Sequence, residues 1–191
     1  MCFKRLFANF RIKISIFYGN LLKTCYYLNG KGQAKRKGEI AMTISPLLLC
    51  NNFLNKSLRD GYEITPMKLQ KLLYFLCREY LQKYEKPLIT EPFSVWQYGP
   101  VLESVYMEFK SFGAKAITKY AKDAQGKSLM VDEDSFPELA QSINDVWTKY
   151  KGYTGIELSK ITHKPGSGWY SAYQRHDPII SKEDMMNDRV C

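Results

Sequence analysis

The sequence predicts a mainly α-helical fold, a compact multi-helix domain with one small β-hairpin, over residues 42–191. Apolar residues recur at intervals of three and four through most of that range, and no strand–helix alternation indicates a parallel sheet. A content of 45% apolar and 25% charged residues is typical of a folded globular protein. The longest uncharged stretch near the start, residues 14–22, is far shorter than the roughly 20 apolar residues that span a bilayer. We therefore expect no membrane partner.

Capping residues and apolar spacing predict the first two helices. Helix one covers about residues 43–57, with Pro46 in its first turn, where the missing amide hydrogen does no harm. Thr65 supplies an N-cap and Pro66 a first helical position for helix two. The apolar residues of helix two share one face: Leu69, Leu72, Leu73, Leu76 and Tyr80. This helix has the clearest periodicity in the chain.

An extended segment rich in aromatic residues follows helix two. Residues 87–101 contain several prolines and show no helical period, so they are predicted to form extended chain and turns that carry an aromatic patch. Pro100 is predicted to open a third helix, and Gly113 to close it.

The remainder of the chain is predicted to form the hairpin and several further helices. Two β-prone runs flank residues 123–127, which gives the hairpin. Ser135 and Thr154 each begin a capping-box pattern, and each is predicted to open a helix. Shorter helical turns are expected around Trp169 and after Ser181.

The net charge of +9 is concentrated near the N-terminus. Residues 1–41 contain nine lysines and arginines against one acidic residue, which leaves 19 basic and 18 acidic residues, a net +1, for residues 42–191. Codons for residues 37–39 can spell a purine-rich ribosome-binding sequence shortly before Met42. We therefore expect residues 1–41 to be a basic extension that is disordered or not native, with translation starting at Met42. The alternative is a genuine basic tail that contacts nucleic acid or anionic lipid.

The cysteine and histidine pattern favours a protein that is not an enzyme. Five widely spaced cysteines without a CxxC pair or a neighbouring histidine suggest no metal site, no disulfide framework and a reducing cytoplasm. The acidic run at residues 132–134 fits the start of a helix better than a metal site. No phosphate-binding glycine motif is present, and no cofactor is predicted. One alternative is a hydrolase that pairs Cys77 with His163, although Cys77 lies where a buried structural thiol is expected.

Three ordered motifs give the chain a resemblance to a known family. They are KLQKLLYF at residues 68–75, W-x-YGPV at residues 96–101 with a VY-containing helix after it, and a Leu-x-x-x-THxxxxW block at residues 158–169. In these motifs the chain resembles, from about Ile44 to Asp184, the Panacea-domain family, the SocA-like antitoxins also described as phage-associated proteins. The glycine-rich KPGSGW string within the third motif departs from the family pattern.

The resemblance implies a function in protein binding. A family member would be the antitoxin of a bacterial or prophage type II toxin–antitoxin system and would neutralise its cognate toxin protein by direct contact. One branch would act as a proteolytic adaptor that delivers the toxin to a ClpXP-type protease. A DNA-binding autorepressor is the alternative, but a net charge of +1 gives residues 42–191 little surface for neutralising phosphates.

Seven residues within these motifs are the candidate partner-binding set: Lys68, Lys71, Trp96, Tyr98, Tyr106, His163 and Trp169. The aromatic residues are expected to be anchors, because aromatic side chains supply much of the energy of protein interfaces. The two lysines are expected to form a polar rim. Alternatively, Trp96 and Tyr98 cover the face of helix two, and His163 has a structural role.

Overall fold

A computed structural model describes strands β1 (Ile12–Tyr18) and β2 (Leu21–Leu28) and residues 44–190. Strand β1 pairs antiparallel with β2 and also with β5 (Leu129–Val131). The prediction for residues 1–41 falls mostly on residues outside the described ranges and stays a prediction. Among the described residues, no helix is both long enough and apolar enough to cross a membrane.

The part of the chain that the structure describes contains seven α-helices and a two-stranded antiparallel hairpin, which confirms the mainly α-helical fold class. The helices are α1 (Pro46–Asp60), α2 (Pro66–Tyr84), α3 (Glu103–Phe109), α4 (Pro137–Tyr150), α5 (Gly155–Thr162), α6 (Gly168–Gln174) and α7 (Lys182–Asn187). The hairpin consists of β3 (Ser94–Trp96) and β4 (Gly99–Val101), and short 3-10 turns occupy Lys110–Phe112 and Glu133–Ser135.

Helix α2 is the centre of the domain. It contacts α1, α3, α4, α5, α7 and β4, so other elements surround it on nearly every side. Thr65 caps its first turn by accepting a hydrogen bond from the backbone N–H of Lys68, at 3.3 Å. The predicted apolar face of α2 is buried, and the helix also buries polar residues that an amphipathic helix would leave in solvent. This unusual burial sets up the site described below.

The helix boundaries confirm most of the capping predictions and correct two. Thr154 forms the predicted capping box at the start of α5. Ser135 does not cap α4, because its hydroxyl donates to Asp132 and the helix begins two residues later at Pro137. The third helix begins after Leu102 and not at Pro100, because Pro100 lies in strand β4 and pairs with β3.

The hairpin lies in a different place from the predicted one. Around residues 123–127 the chain does turn, but only its second arm forms a strand, β5. The arms do not pair because the amide side chains of helix α1 bind their backbone instead. Asn51 accepts from the N–H of Ala121 and donates to the carbonyl oxygens of Ala121 and Leu129, and Asn52 does the same for Val131.

Candidate partner-binding site

The turn between β3 and β4, residues 96–99, projects aromatic side chains from the surface, and we call it the aromatic turn. The side chains of Trp96 and Tyr98 are 38% and 63% exposed, and Tyr106 of helix α3 is 41% exposed. The rings of Trp96 and Tyr106 meet edge to face with their centroids 4.8 Å apart. These three residues, the exposed aromatic set, are accessible as partner anchors would have to be.

Side chains from α5 and α6 hold the backbone of the aromatic turn. The indole N–H of Trp169 donates to the carbonyl oxygen of Trp96 at 3.0 Å, and the hydroxyl of Ser159 donates to that of Tyr98 at 2.9 Å. A carbonyl already paired within the protein has no need to rearrange toward solvent. Side chains of α5 and α6 therefore hold the backbone of the aromatic turn at Trp96 and at Tyr98.

His163 holds the middle of the aromatic turn. Its Nε2 lies 2.9 Å from the carbonyl oxygen of Gln97, and its Nδ1 lies 2.6 Å from that of Ser159. A carbonyl only accepts, so a neutral ring donates to one of them and a doubly protonated ring to both. The structure gives His163 a positioning role and thereby favours the structural alternative stated for this residue.

Helix α2 holds the strand that leaves the aromatic turn. The ammonium group of Lys71 donates to the carbonyl oxygen of Pro100 at 3.1 Å. Gln70 accepts from the backbone N–H of Leu102 at 2.8 Å and donates to its carbonyl at 3.0 Å. Together with the bonds from α5 and α6, these contacts fix five residues of the segment 96–102 by side chains from three helices.

The polar-rim prediction for the two lysines is wrong, because both are buried. Lys71 is 1% exposed and Lys68 is 5% exposed. The ammonium of Lys68 donates to the carbonyl oxygens of Glu63 and Lys151. Burial lowers the pKa of Lys68, and it lowers the pKa of Lys71 to about 7. Neither lysine forms an ion pair with a carboxylate among the described residues.

Gly99 allows the aromatic turn to pack this closely on α2 and α5. Its φ of 101° is rarely adopted by residues with a side chain. A Cβ atom at this position would lie 2.7 Å from the hydroxyl oxygen of Thr162 and 2.8 Å from the Cε atom of Lys71. Lys71 of the first motif and Thr162 of the third motif therefore both pack against Gly99 of the second.

Trp169 supports the aromatic turn and is not itself an exposed anchor. It is 3% exposed, and its ring lies between those of His163 and Tyr173, with centroid distances of 3.9 and 4.7 Å. The outer ring of this stack, Tyr173, is 48% exposed. The sequence predicted a helical turn around Trp169 but did not mark Tyr173 as part of the site.

A shallow, open cleft of about 510 Å³ lies beside Tyr98, and we call it the Tyr98 cleft. Its lining residues come from the start of α2, the aromatic turn and α5: Met67, Tyr98, Ile156, Ser159, Lys160 and His163. Four of these were not predicted as site residues. The only sequence signal for Ser159 and Lys160 is that they lie within the third motif, next to Leu158.

The structure gives little support to the Cys–His hydrolase alternative. Cys77 is 3% exposed, and burial raises the pKa of its thiol well above the ordinary range, which disfavours the reactive thiolate. Both ring nitrogens of His163 already contact backbone carbonyls. Across the described residues, no group of three or more His, Cys, Asp or Glu side chains is placed to hold a metal ion.

Comparison with known proteins identifies the family. The family model for the SocA-like antitoxin Panacea domain matches residues 69–170, which include the aromatic turn and most of the Tyr98 cleft. The chain belongs to this family. A relative named Antitoxin SocA, from Caulobacter vibrioides, is 29% identical over 124 residues. The match covers 63% of this chain and 66% of the relative, just under two thirds of the relative's length. No solved structure matches the chain.

Proposed function

We propose that this Panacea-domain protein is the antitoxin of a bacterial or prophage type II toxin–antitoxin pair and neutralises its cognate toxin in the cytoplasm by direct binding through the exposed aromatic set. Family membership supports an antitoxin role. The observation that carries the site is the aromatic turn, in which exposed Trp96 and Tyr98 stand on a backbone fixed by buried side chains.

The physical reason is preorganisation. Ordering a flexible loop at an interface costs free energy, and a turn already held by hydrogen bonds avoids most of that cost. Tyrosine and tryptophan add large contact areas with only two rotatable bonds each. A rigid turn carrying exposed aromatic side chains therefore suits tight binding of a protein partner.

A growth assay tests the proposed function. The neighbouring gene is induced alone in bacteria and then together with the full chain. Toxicity that the chain relieves supports the antitoxin role, whereas a harmless neighbour, or toxicity without relief, contradicts it. A second arm that carries residues 42–191 tests the proposed start at Met42, and intact-mass measurement of the natively expressed protein, against 22.2 kDa for the full chain, tests it independently.

A substitution then tests the proposed site. Trp96→Ala is expected to abolish relief while the helical circular dichroism stays intact, because the side chain is 38% exposed and its backbone carbonyl is held by Trp169. Leu58→Ala is the control, since Leu58 is 67% exposed on helix α1 and lies outside the Tyr98 cleft. Loss of the fold with Trp96→Ala would assign Trp96 to the core.

Separate experiments distinguish a proteolytic adaptor from an antitoxin that blocks the toxin by binding, and test the DNA-binding alternative. If the chain is a proteolytic adaptor, relief of toxicity disappears in a strain without the ClpXP-type protease and the toxin accumulates. If it instead blocks the toxin by occupancy, relief persists in that strain. For the autorepressor alternative, residues 42–191 would have to bind DNA with an affinity that falls steeply with salt.

A further inference from the structure

The rings of Trp96 and Tyr106 form an open corner on the surface, and we call this pair the aromatic corner. Their planes meet at 64° with the centroids 4.8 Å apart, and the side chains are 38% and 41% exposed. In an edge-to-face pair the edge of one ring covers one face of the other, so further ring surface stays accessible. The face of an aromatic ring carries partial negative charge and attracts cations.

A carboxylate stands beside the aromatic corner. Glu103 accepts from the hydroxyl of Ser94 at 3.0 Å. Ser94 and Trp96 are two residues apart on strand β3 and share a face, and Glu103 and Tyr106 are three residues apart on helix α3 and share a face. The side chain of Glu103 is exposed and pairs with no cation among the described residues.

Acidic residues outnumber basic ones on the elements that form the aromatic corner. Residues 91–112 contain three acidic residues against one basic residue, Lys110, and the hairpin itself carries no charge. Lys110 lies two helical turns beyond Glu103, about 10 Å along the axis. Its ammonium is 3.5 Å from the sulfur of Met107. At that separation, salt at physiological strength largely screens its effect on a cation bound at Glu103.

The neighbouring segments add little positive charge. Residues 175–184, which pair with the free edge of β3, contain three acidic residues against two basic ones. Arg175, one of the two basic residues, already pairs with Asp177 and Asp184. Lys71 of α2 donates to a backbone carbonyl of β4, and burial lowers its pKa to about 7, so most of this lysine is neutral at pH 8. The aromatic corner therefore lies in a region with an excess of negative charge.

We infer that the aromatic corner binds an arginine side chain of the partner protein, with the guanidinium stacked on Trp96 and paired with Glu103. A flat, weakly hydrated guanidinium can stack on a ring and donate to an adjacent carboxylate at the same time. The hydroxyl of Ser94 orients Glu103 for this contact. The inference rests on the proposed function for the identity of the partner, the toxin, and adds the side chain by which it is recognised.

Peptide selection on the purified full chain at pH 8 tests the inference without the toxin. Random linear peptides displayed on phage are selected on the chain, and those that also bind a bare surface are removed. The expected result is enrichment of peptides that contain arginine. Affinities of synthetic copies are then measured by fluorescence polarisation. Citrulline in place of the arginine keeps the shape and removes the charge, and should weaken binding about fivefold.

Matched variants of the chain locate the binding site of these peptides. Glu103→Gln removes the charge but can still accept from Ser94, and it should weaken binding about threefold and reduce the dependence of affinity on salt. Trp96→Leu keeps an apolar side chain without a ring face and should weaken binding about fivefold. Glu138→Gln, the same change on an exposed residue of helix α4, should leave the affinity unchanged.

Three results would overturn the inference. The first is the absence of arginine from the enriched peptides. The second is equal affinity for the citrulline copies, and the third is equal affinity of the peptides for wild type and Glu103→Gln, with the variant shown to be folded by circular dichroism.

The growth assay separates this inference from the proposed function. The chain is induced at the lowest level at which the wild type relieves toxicity, and Glu103→Lys is compared with Glu138→Lys. Loss of relief with Glu103→Lys alone supports the inference, whereas equal relief by both variants leaves the function standing and contradicts the inference. If the wild-type chain gives no relief at any level, the proposed function fails, and the peptide selection still decides the chemistry of the aromatic corner.

Discussion

Buried polar side chains of helix α2 bind both the strand that leaves the aromatic turn and the C-terminal segment, residues 181–190, but only the C-terminal segment supplies a carboxylate. In the C-terminal segment, Asp188 accepts from the guanidinium of Arg78 at 3.2 Å and from the hydroxyl of Tyr74 at 2.7 Å. It also accepts from the backbone N–H of Gly168 at 2.9 Å. Next to the aromatic turn, the ammonium of Lys71 donates to the backbone carbonyl of Pro100 and pairs with no carboxylate among the described residues.

We interpret this difference as one between an attachment that only stabilises the fold and one that belongs to the proposed binding surface. A buried cation that is paired with a carboxylate and held by further hydrogen bonds has its charge compensated within the domain, as Arg78 has, although its Nε atom is buried without a hydrogen-bond partner. A buried lysine without a carboxylate is costly to keep charged, and burial accordingly lowers the pKa of Lys71 to about 7. The domain tolerates that cost at the aromatic turn, next to its exposed aromatic side chains, and such local departures from good packing are typical of functional sites.

Removal of the Arg78–Asp188 ion pair should have the largest effect on stability. Asp188→Asn removes the buried carboxylate from the Arg78 guanidinium and leaves it only the partly exposed carboxylate of Glu79, at 3.1 Å. We expect a loss of about 3 kcal/mol in the free energy of unfolding. Urea denaturation monitored by circular dichroism measures it. The control is Asp177→Asn, because its ion pair with Arg175 is about half exposed and should contribute little to the free energy of unfolding. Equal losses for the two variants would contradict the account of this segment.

Because Lys71 is buried without a carboxylate partner, we expect the stability of the protein to depend on pH. Burial lowers the pKa of Lys71 to about 7 in the folded protein, against about 10.4 in the unfolded chain. Between these values the unfolded state binds the lysine proton and the folded state does not, so Lys71 makes stability rise as the pH is raised from 7. Above about pH 8.5 the buried thiols of Cys50 and Cys77, whose pKa is raised by burial, act in the opposite direction. The difference expected from Lys71 between pH 7 and about 8.5 is on the order of 2 kcal/mol.

Lys71→Met checks the source of this pH dependence. The variant should lose most of the slope between pH 7 and about 8.5, below the range in which unfolded thiols titrate, even though it leaves the carbonyl of Pro100 without its donor. Urea denaturation at several pH values measures the slope. An unchanged slope in the variant would show that another group titrates in this range.

A substitution at Gly99 should lower stability by a smaller amount, through steric overlap. Gly99→Ala places a methyl group against Thr162 and Lys71, and we expect about 1–3 kcal/mol of destabilisation beyond the backbone strain. The matched control is Gly126→Ala, which also has a positive φ, 78°, but no atom within 4 Å of the new Cβ. Thermal unfolding of the pair isolates the packing contribution. Equal destabilisation would mean that the close approach is relieved at little cost.

Tyr98→Ala should change stability least. Its side chain is 63% exposed, so we expect the free energy of unfolding to change by less than about 0.5 kcal/mol. Urea denaturation gives the value. A loss similar to that of Asp188→Asn would place Tyr98 in the core and remove it from the binding surface.

The sequence predicted elements whose signals are local. The apolar period of α2 and the caps at Thr65 and Thr154 depend on neighbouring residues, and the structure has them where they were predicted. The hairpin at residues 123–127 was predicted wrongly because Asn51 and Asn52, more than 60 residues earlier, bind its arms. Side-chain capture of a distant backbone leaves no periodic signal in the sequence.

The candidate site was predicted in part for the same reason. Trp96 and Tyr98 stand next to a Gly-Pro turn, which is a local signal for exposed aromatic residues. The burial of Lys71 runs against the ordinary preference of lysine for solvent and depends on how the aromatic turn folds back onto α2. Ile156 became visible as part of the site only once α5 was placed beside Tyr98.

The most direct test of the central claim is the affinity of the purified full chain for the product of the neighbouring gene, the proposed toxin, measured by calorimetry with matched variants. If the aromatic turn is the binding surface, Tyr98→Ala weakens binding at least tenfold, about 1.4 kcal/mol, whereas Leu58→Ala binds like the wild type. Wild-type affinity for Tyr98→Ala and Trp96→Ala alike, with both variants folded, would contradict the claim and place the toxin on another face of the domain.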